Sequence, residues 1–179
     1  MRLNRSRVGS LAVTTLLLSS ASALAQDTAF RRDVQEAALK KHNEVRAKHG
    51  VPPLKGSAEL QAVAQAWANK LAASGRMEHS TGGKYGENLY WTSASTRAGE
   101  GAALASASVQ AWYDEVKDYD YGAPGFSMKT GHFTQVVWKN TTQVGCAAAS
   151  GSKGTFVVCN YDPPGNYQGQ FPEHVLKAR

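Results

Sequence analysis

At 179 residues, 42% hydrophobic and 19% charged, the chain is long enough to bury the core of one well-packed domain, and no internal repeat or low-complexity linker divides it. Arg2, Arg5 and Arg7 precede the apolar run 11–18, after which Ala23 and Ala25 form the small-residue pattern of a signal-peptide cleavage site. The formal net charge of +6 includes three basic residues and no acidic ones from residues 1–25, so residues 26–179 carry 17 basic against 14 acidic side chains, a net +3. That charge is too weak to argue for nucleic acid. No later stretch has the length and apolarity of a membrane span, so the expectation is a signal peptide, 1–25, followed by one secreted, monomeric domain, 26–179, without a membrane anchor.

In chain order, residues 33–49 read as a helix, with Asp33 as its cap, Glu36 three residues on, and Gly50, Pro52 and Pro53 as its stop. Val34, Ala38, His42 and Val45 share its buried face, with Arg46 one turn beyond His42. A second helix follows Ser57, carries Leu60, Val63, Ala64, Trp67 and Leu71 at helical spacing, and ends at Gly75; its tryptophan is expected in the core. Residues 76–91 lose periodicity and read as a loop that holds His79 and Glu87. A third helix spans about 100–117. Its apolar stripe runs through Leu104, Val109, Trp112 and Val116, and at about 100° per residue Glu115 falls inside that stripe while Asp114 falls outside it. A carboxylate on a buried face needs a partner.

The aromatic segment 118–130 is expected as a loop, and "GHFTQVVWKN" (131–140) alternates like a central strand covered on both faces, with His132 near its start. Cys146 and Cys159 flank a glycine-rich turn at 150–154. A hairpin symmetric about Ser152 and Lys153 sets the two cysteines opposite each other, at a spacing a disulfide accepts. Pro163, Pro164 and Gly165 exclude regular structure near the end. Helices followed by a small antiparallel sheet define an α+β layered domain.

His79, Glu87, Glu115 and His132 are thus four polar residues in unexpected places. Two imidazoles and two carboxylates suit a divalent first-row cation, zinc above all, although four separately hydrogen-bonded residues would read the same way. H-E-x-x-H and C-x-x-C are absent, and no G-x-S-x-G turn supports a serine hydrolase.

"GHFTQVVWKNT" with "VGC", "CNYDPPGNYQGQ", "GENL" (86–89) and "HNEVR" (42–46) together resemble the family of cysteine-rich secretory proteins, antigen 5 and pathogenesis-related 1 proteins, the CAP or SCP domain. The resemblance implies an α-β-α sandwich whose cleft is lined by His79, Glu87, Glu115 and His132, with a divalent cation as a possible cofactor. His42 and Arg46 match a pattern read as structural. It also implies a binding protein for a sterol or fatty acid, with Tyr119, Tyr121 and Phe126 fitting the aromatic pattern of a loop linked to sterol binding in the family. Two alternatives stay open: a metal-dependent hydrolase using the same cleft, and an interaction protein that meets a host or cell surface, membrane or protein, through its loops.

Overall fold

A computed structural model of the chain describes residues 11–96 and 99–179, with 11–22 as backbone alone. The charged start of the expected signal peptide, residues 1–10, lies outside the described residues. Helix α1 is continuous over Leu11–Lys48, so Asp33 lies within it and does not cap it. The alternation of small, apolar and polar residues ahead of Asp33 is compatible with helix, and nothing there breaks it before Gly50. Helix α2, Ala58–Ser74, matches the sequence reading: Ser57 Oγ accepts the Leu60 N–H at 3.3 Å, and Gly75 closes the helix in the left-handed region at φ 67°. Helix α3, Gly101–Asp114, passes into a 3-10 turn, Glu115–Asp118.

Two expectations of secondary structure are corrected. Residues 86–91, read as the end of a loop, lie in strand β2 (Gly86–Thr92), and residues 131–136, read as the start of a strand, form the short helix α4 (Gly131–Val136). In the helix, His132 and Gln135 fall on one side at i, i+3 spacing, whereas an extended reading separated them. A last short helix, α5, spans Phe171–His174.

The sheet runs in the order β1-β3-β4-β2, from the two-residue strand β1 (Lys55–Gly56), β3 (Gln143–Gly151) and β4 (Gly154–Asp162) to β2 at the edge. It is mixed and not purely antiparallel, because β1 pairs parallel with β3. The β3–β4 hairpin places Cys146 opposite Cys159 as expected, with their Cα atoms 4.1 Å apart and a disulfide between them.

Strand alternation divides the core. Val144, Cys146, Ala148, Val157, Cys159 and Tyr161 face α1, α3 and α4, while Ala147, Phe156, Val158 and Leu89 face Ala64, Ala68 and Leu71 of α2. The result is an α-β-α sandwich. Helix α2 comes so close to β3 that a Cβ on Gly145 would collide with the backbone of Leu60 and Gln61, which explains a glycine in mid-strand. Trp67 is only partly buried at the margin of the α2 layer, its indole N–H donating to the Glu78 carbonyl, and Val63 is 38% exposed. The helical stripe is narrower than the spacing implied, since small alanines make the central contact.

The disulfide closes a short loop, its two cysteines 13 positions apart in the sequence. On chain-entropy grounds it contributes about 3 kcal/mol. Reduction should lower the melting temperature by roughly 10 °C, measured by thermal denaturation with and without a reductant, and unchanged melting would show that the hairpin is held by packing alone.

Candidate functional site

Two histidine–glutamate pairs flank edge strand β2. On one side, Glu87 Oε1 accepts from His79 Nδ1 at 2.8 Å and from the Ser80 N–H at 2.9 Å. The imidazole of this pair is 63% exposed and the carboxylate 7%. Burial pushes the Glu87 carboxyl up, but the bonds from His79 and Ser80 outweigh it and leave Glu87 below its ordinary value. The bond to Glu87 raises His79 above its usual 6.5 despite partial desolvation. Glu87 Oε2 is buried and finds no hydrogen-bond partner among the described residues.

On the other side, Glu115 sits at the junction of α3 with its 3-10 turn and meets the first turn of α4. Its Oε1 accepts from His132 Nδ1 at 2.6 Å, and its Oε2 accepts the backbone N–H groups of His132 and Phe133 at 3.0 and 3.1 Å. A carboxylate there satisfies two N–H groups that a helix start leaves unpaired, and it meets the positive end of the helix dipole. From the sequence alone, a glutamate in an apolar stripe could be compensated by hydrogen bonds or by a cation. The structure answers with the N-terminus of α4, a partner hidden while that segment was read as a strand.

A carboxylate oxygen accepts in each of these bonds, so Nδ1 is the donor in both pairs, and Nε2 is the nitrogen that bears the lone pair whenever a ring is uncharged. The four residues are brought together two by two. Among the described residues, no three or more His, Cys, Asp and Glu side chains are grouped as they would be around one metal ion.

Beside the His132–Glu115 pair opens a cleft of about 370 Å³, lined by Met77, Leu89, Tyr90, Trp91, Ala111 and Trp112. Met77 and Trp91 are 50% and 46% exposed, and the Trp112 ring stacks on His132 with centroids 6.2 Å apart. The Trp112 indole N–H donates to the Leu89 carbonyl at 2.9 Å, which fixes that ring against the edge strand. Of these wall residues only Trp112 stands out in the sequence, because Met77, Leu89, Tyr90 and Trp91 lie in the segment that reads as a loop. The three aromatics of the 118–130 loop do not form one surface: Tyr119 is buried edge-to-face against Phe133 and Tyr121, Tyr121 is partly buried, and Phe126 is exposed.

Residues 39–161 match the family described as CAP, cysteine-rich secretory protein family, and the chain belongs to that family. It is 45% identical over 147 residues to the human Golgi-associated plant pathogenesis-related protein 1, covering 79% of this chain and 91% of that one. Pathogenesis-related protein 1A of Nicotiana tabacum is 41% identical over 169 residues, with 90% and 92% of the two chains covered. The fold resembles the crystal structure of NaASP2 with Zn2+ at a TM-score of 0.67 and 22% identity, covering 82% of this chain and 86% of that one.

If Glu115 serves as the cap of α4, Glu115→Ala should destabilise the protein by about 2 kcal/mol, the scale of lost charge-assisted hydrogen bonds. Urea unfolding in the presence of a chelator should show the full loss. A difference seen only with added metal would instead make Glu115 a ligand.

Proposed function

We propose that the protein is a secreted CAP-domain binding protein that captures a sterol or fatty acid in the cleft between β2 and α3, with a divalent cation, zinc foremost, ligated by an imidazole of the histidine–glutamate pairs. The observation that carries this reading is the cleft's composition. An apolar wall of Met77, Leu89, Trp91 and Trp112 ends in one polar group, the His132–Glu115 pair, within about 370 Å³, a volume in the range of small-molecule sites. A ligand with an apolar body and a single polar head suits such a wall. Export is supported by the N-terminal segment and by kinship with pathogenesis-related proteins.

The reading places the lipid in the cleft and not on the 118–130 loop, because Tyr119 is committed to the core. In a displacement assay with a fluorescent sterol and a fluorescent fatty acid, Met77→Ser combined with Trp91→Ser should weaken binding at least about tenfold, the cost of losing roughly 1.4 kcal/mol of apolar contact. Phe126→Ser should leave it unchanged. The reverse pattern would return the lipid to the loop.

For the cation, the donor set fits only in part. Both Glu115 oxygens and Glu87 Oε1 are engaged in hydrogen bonds that fix the imidazole tautomers, so the atoms available for ligation are Nε2 of His79 and His132 and the unpartnered Oε2 of Glu87. Zinc accepts nitrogen ligands and would complete its shell with water. Protons compete for the same nitrogens. Since His79 lies above 6.5, zinc affinity should begin to fall at a pH above that value and continue to fall as the pH drops through it. Calorimetric titration across this range, repeated on His79→Ala and His132→Ala, checks the claim. Equal affinity in all three proteins would remove the imidazoles from the site.

A further inference from the structure

His132 is held from a second direction, through its backbone. Asn88 Nδ2 donates to the His132 carbonyl and to the Tyr161 hydroxyl oxygen, both at 3.1 Å. Tyr161 Oη lies 2.8 Å from His42 Nε2, and His42 Nδ1 lies 2.8 Å from the Ala38 carbonyl. Asn88, Tyr161 and His42 are 1%, 0% and 0% exposed.

The direction of every bond in this chain is fixed. The Ala38 carbonyl only accepts, so His42 Nδ1 carries the proton and Nε2 accepts from the Tyr161 O–H. The Tyr161 oxygen is then free to accept from Asn88, whose second N–H is aimed at His132. Burial pushes His42 down to about 4 and Tyr161 well above 10, so neither group ionises across the physiological range and the arrangement has one proton pattern. An amide at Asn88 is required because both contacts need a donor. The neighbouring residue adds a second brace: the Leu89 carbonyl holds the Trp112 indole that stacks on the His132 ring.

We propose that Asn88 is a positioning residue for His132, the terminal link of a buried chain from Ala38 through His42 and Tyr161 that sets how the imidazole presents Nε2 to the cleft. The inference rests on the reading above that His132 takes a cation, and it adds a role for three residues that line neither the pair nor the cleft.

The test follows the His132 Nδ1–H signal by NMR and titrates the full-length protein with zinc in wild type, Asn88→Ala and Tyr161→Phe. Asn88→Ala should speed solvent exchange of the His132 Nδ1–H and weaken zinc binding about tenfold, the usual effect of removing an outer partner of a ligand. The His79 Nδ1–H and the amides of the β3–β4 hairpin should keep their exchange rates, which a general loosening of the core would not allow. Unchanged His132 exchange in Asn88→Ala would overturn the proposal. Should that variant not fold, Tyr161→Phe decides by the same signal, since it leaves Asn88 in place but unbraced. If wild type takes no zinc, the cation reading fails, and the exchange rate alone still decides whether Asn88 positions His132.

Discussion

A six-residue helix has almost no stability of its own, because the cost of ordering its first turn is not recovered over so short a length. Helix α4 exists because side chains from distant parts of the chain hold its two ends. Glu115 binds the N–H groups of its first turn, and Arg46 from α1 donates to the carbonyls of Val136 and Trp138 at its other end, both at 2.9 Å, and to those of Pro52 and Thr141. An anion at the N-terminus and a cation at the C-terminus each oppose the local helix dipole. Arg46 is fully buried, and burial lowers its guanidinium to about 10, still charged at neutral pH. A buried cation is tolerated here because carbonyl oxygens from three stretches of chain replace its water.

This dependence explains which parts of the fold could be read from sequence. Helix α2 was legible because its signals are local: Ser57 caps it, Gly75 ends it, and the apolar spacing lies within it. The cysteine hairpin was legible because a symmetric turn fixes the register, and register alone sets Cys146 against Cys159. Helix α4 was not, since its caps come from residues 17 and 90 positions away and its own residues favour a covered strand. Strand β2 was hidden for a related reason. Its edge position mixes glycine, charged and aromatic residues, and the alternation expected of a half-buried strand is broken by side chains recruited for hydrogen bonding.

The candidate site was legible as a set of residues but not as an arrangement. His79, Glu87, Glu115 and His132 stood out because polar side chains occupied apolar or irregular places. Sequence could not say whether they would converge on one ion or pair off, since that depends on which backbone N–H groups lie nearby. Ser80 and the first turn of α4 supply those groups, and the carboxylates take them. The same reasoning places Tyr119, an apparent surface aromatic, in the core: it follows a turn that directs it against Phe133 of α4.

Strand β2 therefore carries a different physical demand at each successive position. At Gly86 a Cβ would collide with the side-chain amide of Gln135, so glycine leaves that amide in place against the strand. Glu87, on the opposite face, fixes the tautomer of His79. Asn88 returns to the first face to reach His132 and Tyr161, and Leu89 buries its side chain against α2 while its carbonyl holds Trp112. Because the period of a strand is two, a one-residue slip would exchange these roles, sending the carboxylate toward Tyr161 and the amide toward His79. Pairing with β4 from Gly86 against Tyr161 to Thr92 against Thr155 prevents that slip, and the disulfide locks β4 to β3 behind it. The register of the hairpin is thus the register of the site.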